Sequence, residues 1–382
     1  MKKTILLIIL AGFQLSSPAQ RSKVLSVFQL IETAKFREAK EIIEEAIVHD
    51  KTSQWHKTWF ARGLLCQTAH EQGVKENDKK KSELYPDQIY VAYDSYEKAL
   101  SLDVRGRLND QIAQQYVLLS NDFQKSGLLH YQRKEYRDAF RAFEHALKIT
   151  NSPVLTVKVD TGLIYNTALA AFESREWDRA IEYLDRLNKN SHSVNTALLL
   201  FNAYIANDDT ISAEEVLREG IERYNDNEIL VLQLVDLLYN VNEAEEAISI
   251  LDLASARDTS NYIYPFTKGL LHQKLEQYHE AIKAYEQAVK TAPAEIKNYY
   301  HIGICYYNIG VEIEENARSI DSRQAFRAEK ERSKEAFENA VIWLEKAHAR
   351  DQDDPDIIVK LYQLYQYLQK GDEKNSLESK IN

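Results

Sequence analysis

The side chains that could carry chemistry in this 382-residue chain are ten histidines, two cysteines (Cys66 and Cys305) and 59 carboxylates. A zinc site needs at least three donors at one point, and none of the histidines falls in an H-E-x-x-H pattern or a Cys/His spacing that would supply them. His272 and His279 share a helix face two turns apart but have no third ligand, so they read as surface or turn residues. The acidic run "DQDDPD" at 351–356 lacks the central glycine and closing glutamate of a calcium loop. It reads as a turn in which Asp353 or Asp354 caps the next helix. A G-x-S-x-G elbow and a phosphate-cradling glycine loop are both missing. Each cysteine lies in an apolar helical stretch with no histidine to activate it, and the pair reads as two buried free thiols. The residues point away from an enzyme, and neither a metal nor an organic cofactor is expected.

Binding remains, and composition narrows the partner. The opening "MKKTILLIILAGFQLSSPAQ" has two lysines, an apolar run from Ile5 to Phe13, and Ser17 and Ala19 in signal-peptidase spacing. Residues 1–19 are therefore expected to be a cleaved secretory signal that delivers the chain to the periplasm, with secretion or envelope association as other destinations. The apolar run is too short to cross a bilayer core of about 30 Å, and no later stretch reaches that length, so no transmembrane segment is expected. Losing Lys2 and Lys3 takes the net charge from −11 to −13. Nucleic acid is a poor partner for such a surface, and the one lysine run, "KENDKKK" at 75–81, is interleaved with acids.

Hydrophobic residues return every three or four positions almost throughout, with only eleven glycines and six prolines. That pattern predicts an all-α fold. Within it a small–bulky–small triplet recurs: Ala39/Ile43/Ala46, Ala92/Tyr96/Ala99, Ala139/Phe143/Ala146, Ala213/Leu217/Gly220, Ala247/Leu251/Ala254, Ala281/Tyr285/Ala288 and Ala340/Leu344/Ala347, with a weaker copy at Ala180/Leu184/Leu187. From Ala180 the leading alanines step by 33, 34 and 34 residues, and Gly127 and Gly269 each lie twelve before their alanine. Two antiparallel helices approach closely only where facing residues are small, and one bulky residue then fills the space beside them.

This register resembles the tetratricopeptide repeat family, whose repeat is W-x2-L-G-x2-Y, then A-x3-F, then P. The likeness covers nearly the whole chain after the signal. Trp59 ahead of Gly63 is the one tryptophan in its place, and Pro293 matches the terminal proline. The resemblance implies a right-handed α-solenoid of about eight to nine helix–turn–helix repeats over residues 20–382. Two length excesses interrupt it. Gly63 to Ala92 carries 17 extra residues, expected as a polar loop near 70–87. Gly303 to Ala340 carries 25, charged and helix-favouring, expected as a helical hairpin near 312–335. Residues 103–122 and 153–163 are expected to lengthen the first helices of their repeats.

The resemblance also implies a concave surface lined by the first helix of each repeat. Carrying the register of "KNYYHIGICYYNIG" along the chain, the groove-facing candidates are Tyr165, Asn166, Leu169, Asn202, Gln233, Asp236, Phe266, Leu270, Tyr300 and Tyr307. They form either a peptide groove with aromatic anchors or a core covered by neighbouring repeats. Relatives that capture a terminal carboxylate use lysine and asparagine in this register. The matching positions here include Phe60 and Leu64, which do not support that activity. The expected function is a non-enzymatic scaffold of a bacterial envelope that holds an extended peptide or a helix of a partner protein. The alternative is a structural subunit of a larger envelope or secretion assembly, contacting partners through its convex face and helical insert.

Overall fold

All eight triplets are buried in the computed structural model, which describes residues 16–156, 160–190 and 193–381. Among the described residues the secondary structure is helical, with no strand. The expected signal lies mostly outside them; the first helix starts at Ser16. The helices group into two units, divided after Asp209. The first unit contains α1 (Ser16–Glu32), α2 (Phe36–Val48), α3 (His56–Glu76), the single turn α4 (Lys79–Ser82), α5 (Gln88–Leu102), α6 (Asn109–Gln132), α7 (Tyr136–Thr150), α8 (Thr161–Glu173), α9 (Trp177–Asn188) and α10 (Val194–Ala206). The second contains α11 (Thr210–Arg223), α12 (Glu228–Asn240), α13 (Ala244–Arg257), α14 (Ile263–Lys274), α15 (Tyr278–Thr291), α16 (Ile296–Ala317), α17 (Arg323–His348), α18 (Pro355–Tyr367) and α19 (Gly371–Ile381). The pairs α1/α2, α3/α5, α6/α7 and α8/α9 pack in the first unit, and α12/α13, α14/α15, α16/α17 and α18/α19 in the second.

The seam of each pair shows why the triplet exists. A Cβ on Gly63 would stand 2.6 Å from the Tyr96 ring, one on Gly127 2.6 Å from the Phe143 ring, and one on Gly269 2.5 Å from the Tyr285 ring. No side chain fits at these distances, so glycine on the first helix is the socket for the aromatic ring on the second. Burial alone would let the ring slide, and a hydrogen bond fixes its depth: the Tyr96 hydroxyl donates to Gln67 Oε1 at 2.9 Å, and that of Tyr285 to Gln273 Oε1 at 2.9 Å. In α16 the socket occurs twice, with Gly303 against Leu344 and Gly310 against Phe337. Ser333, fully buried on α17, donates to Gly310 O at 3.0 Å between the two helices.

The turns inside the pairs share one geometry that glycine does not supply. Ala34, Lys134, Arg175, Asn242, Glu276 and Gln369 all have positive φ, between 56° and 65°. In each case the next residue's N–H bonds back to a carbonyl five positions earlier, as in Glu135 N to His130 O (2.9 Å) and Gln277 N to His272 O (2.9 Å). This is the Schellman closure of a helix C-terminus, where a left-handed residue costs a non-glycine side chain about 1 kcal/mol. Glu276→Gly and Arg175→Gly are each expected to raise stability by about 0.5–1 kcal/mol in chemical denaturation. A loss of stability in both variants would show that their side chains make contacts worth more than the strain.

Two expected boundaries are corrected. Residues 70–76 of the expected polar loop are the last turns of α3, which runs on until Asn77 ends it in a left-handed conformation. Gly73 permits this: the backbone of Ser82 in α4 lies where a Cβ would be, so the insert folds back onto the helix. Residues 153–156 are turn and loop rather than an extension of α8, because helix α8 is started by Asp160, whose carboxylate accepts from Gly162 N at 2.9 Å. The excess after Gly303 goes into α16 and α17, which have 22 and 26 residues against 12 and 14 in α14 and α15.

Candidate binding surfaces on the first helices

Four of the groove candidates lie in the first unit. Tyr165, Asn166 and Leu169 on α8 are half-buried, and Asn202 on α10 is exposed. The other six lie in the second. Gln233 is half-buried and Asp236 exposed on α12, where Asp236 Oδ2 accepts from Asn240 Nδ2 at 3.3 Å. Phe266 and Leu270 on α14 pack at the edge of a core built from Ala281, Tyr285, Ile302 and Cys305. His301 joins the first helices of two pairs: its ring stacks on Tyr285 at 5.3 Å and meets Phe266 at 5.5 Å.

Tyr300 and Tyr307 on α16 sit between the two alternatives. Both pack at the margin of the C-terminal core formed with α17 and α18. The Tyr307 ring lies 5.6 Å from that of Phe337, and the Lys360 ammonium stands 4.1 Å over it. Burial, with Asp356 and Asp354 nearby, raises the Tyr300 phenol above its ordinary range. These rings carry packing as well as whatever surface they present.

A recess in the first unit lies between α1, α3 and α6, with a volume of about 690 Å³. Its apolar wall is Leu25 and Phe28 from α1 and Phe60 and Leu64 from α3. Leu25 is 48% exposed, as is Leu118 further along α6. Opposite stand Gln111, Gln114 and Gln115 of α6, while Trp55, His56, Lys57, Arg107 and Leu108 border the end where α3 and α6 begin. Phe60 and Leu64 hold the same register as Tyr165 and Leu169, so extending that register towards the N-terminus marks the α3 wall. The α1 wall and the glutamine face carry no motif residue.

Polar bonds close the other end. Gln67 Nε2 donates to Gln115 O at 3.2 Å and to Glu71 Oε1 at 3.0 Å. Beyond this bridge Glu71 and Asp122 are half-buried, and desolvation raises both carboxyls above the ordinary range. Asp122 Oδ2 is buried without a hydrogen-bond partner. A carboxyl with a raised pKa holds its proton more tightly folded than unfolded, so its ionised form subtracts stability above the folded pKa and nothing below the unfolded value of about 3.9. Asp122→Asn should therefore stabilise the chain by on the order of 1 kcal/mol at pH 7, with the gain vanishing near pH 3. A gain independent of pH in paired urea titrations would assign it to something other than the charge.

Among the described residues no group of three or more His, Cys, Asp or Glu could hold a metal ion, and no helix is long and apolar enough to cross a membrane. His272 is not on the surface: it is 8% exposed, and its Nδ1 lies 2.7 Å from Gln277 Oε1, inside the turn that closes α14. Both cysteines are buried and free, and burial pushes each thiol up to about 12, far from the thiolate that reacts.

The fold and surfaces define a class: an all-α chain of antiparallel helix pairs, whose repeats resemble the tetratricopeptide type in spacing. No protein-family model matches the chain, and no curated protein does. Among solved structures, 65% of the chain aligns with 98% of a TPR repeats protein from Bacteroides fragilis, at 19% identity and a TM-score of 0.36. YrrB, described as a TPR protein with an unusual peptide-binding site, aligns over 92% of its length with 55% of this chain at 17% identity and 0.33. A monomeric mutant of IFIT1 with Gppp-AAAA aligns over 73% of its length with 96% of this chain at 13% identity and 0.37. The repeat type rests on this chain's own spacing, its glycine sockets and its turns.

Proposed function

We propose that this chain is a non-enzymatic scaffold of the bacterial cell envelope, holding an extended segment or a helix of a partner protein against its first helices. The observation that carries the reading is the recess between α1, α3 and α6, where Leu25 is exposed and Phe28 and Leu64 are half-buried beside a row of glutamines. Apolar anchors supply contact area, and side-chain amides can bond a peptide backbone. Residues such as Phe266, Leu270, Tyr300 and Tyr307 give the second unit further anchors, partly spent on packing. Delivery by the N-terminal signal belongs to the same proposal, and mass spectrometry of the exported chain tests it by finding Gln20 at the new terminus.

A second reading, a structural subunit of a larger envelope assembly, is favoured by one feature. The long α16/α17 pair borders a cleft of about 540 Å³ against the α14–α15 turn, lined by Tyr278, Tyr306, Ile309 and several glutamates. A photo-crosslinking residue at Leu25 is expected to give one discrete protein adduct in cells, and the same residue at Val48, 76% exposed on α2, none. Adducts from Phe326 on α17 with none from Leu25 would replace the first reading with the second.

A further inference from the structure

We infer that the recess between α1, α3 and α6 takes an acidic segment of a partner protein, apolar on one side and recognised through side-chain carboxylates within the segment. This rests on the scaffold reading above and specifies its partner. The argument is charge segregation. The chain as a whole carries −11, yet none of the side chains lining this recess is an aspartate or glutamate, and two of them, Lys57 and Arg107, are cations. Both cations are exposed, so they are available to a ligand.

Backbone electrostatics add to this in the same place. Lys57 is in the first turn of α3 and Arg107 lies just before α6; the N-cap residues Trp55 and Leu108 make no side-chain cap, while Asp103 Oδ2 accepts from Leu108 N at 2.7 Å and Asp110 stands in the first turn of α6 without lining the recess. The positive end of each helix dipole thus borders the recess beside the two cations. The carboxylates Glu71 and Asp122 are separated from it by the Gln67 bridge. A basic segment would be repelled at the rim and a purely apolar one would leave the rim unused. An acidic segment seats its apolar side on Leu25, Phe28 and Leu64 and its carboxylates at Lys57 and Arg107. Terminal-carboxylate capture is a different mode, since Phe60 and Leu64 stand where that clamp would place polar groups.

The test uses the full mature chain and a fluorescent peptide of alternating leucine and glutamate, acetylated and amidated so that neither terminus is charged. Its partner probe has lysine for every glutamate. Fluorescence anisotropy should show the glutamate peptide binding at least about tenfold more tightly, with the preference shrinking as salt rises. Lys57→Glu with Arg107→Glu should reverse or abolish that preference, while Lys75→Glu with Lys79→Glu, on the insert, leaves it intact. Equal binding of the two peptides, binding of neither, or indifference to the Lys57/Arg107 reversal overturns the inference. In each of those cases a surviving Leu25 crosslink to a protein in cells keeps the scaffold reading, and its loss removes both.

Discussion

Adding one methyl group at Gly269 lowers stability, and removing the ring opposite reverses the sign of the same change. Gly269→Ala gains up to about 1 kcal/mol of helix propensity. It also drives a Cβ to 2.5 Å from the Tyr285 ring, which is fully buried and bonded to Gln273. Overpacking of a closed core costs about 1–3 kcal/mol, so the net effect is a loss of up to about 2 kcal/mol. Tyr285→Ala alone empties the socket and is expected to cost about 3–5 kcal/mol. In that background Gly269→Ala no longer meets the ring and should add about 0.5–1 kcal/mol. The cycle, measured by guanidinium denaturation with helical content as the signal, isolates the contact itself. Equal losses from Gly269→Ala in both backgrounds would mean that something other than the ring excludes a side chain there.

Asn298→Leu is expected to stabilise the second unit by about 2 kcal/mol. Asn298 lies in the first turn of α16, fully buried, and both its Oδ1 and its Nδ2 lack a hydrogen-bond partner. It begins a stripe that continues through Ile302, Cys305 and Ile309, all buried. The matching positions in α8, α12 and α14 are Leu163, Leu230 and Tyr264, at most 3% exposed. A buried amide without partners forfeits its hydration for nothing, whereas leucine of similar volume keeps the packing. Asn298→Ala is the control: it removes the orphaned groups but leaves a cavity, so its gain should be smaller or negative. A destabilised leucine variant would show that the amide has a partner in solution.

The seam of the fold was legible because its constraint is steric and local. Eight triplets at repeating intervals predicted eight buried rows, and Tyr96, Phe143 and Tyr285 lie against the glycines that the register named. The turns were not legible, since the left-handed position holds Ala34, Lys134 or Glu276 where glycine would have announced it. Residues 70–76 read as loop from the length excess and their polarity, yet helix α3 continues through them, and Gly73 makes room there for the close approach of Ser82. At the surface, Phe60 and Leu64 could be reached by carrying the register back one repeat. Leu25, Gln111 and Lys57 could not, because no motif position specifies them and only the meeting of α1, α3 and α6 makes them neighbours. Asn298 likewise carries no warning in its type, and its unpaired state exists only in the packed pair.

The doubled socket on α16 bears on how this chain can change length. Gly303 and Gly310 are seven residues apart, and so are their fillers Phe337 and Leu344 on α17. Seven residues are nearly two helical turns, so the added stretch returns to the same face with only a small angular drift. Growth by such steps on both partners extends the interlocking row like additional teeth on a zip fastener, whereas a lone extra residue would rotate every later tooth out of mesh. Excising seven residues from each helix together should thus leave a shorter, closed hairpin, and trimming only one of them should not.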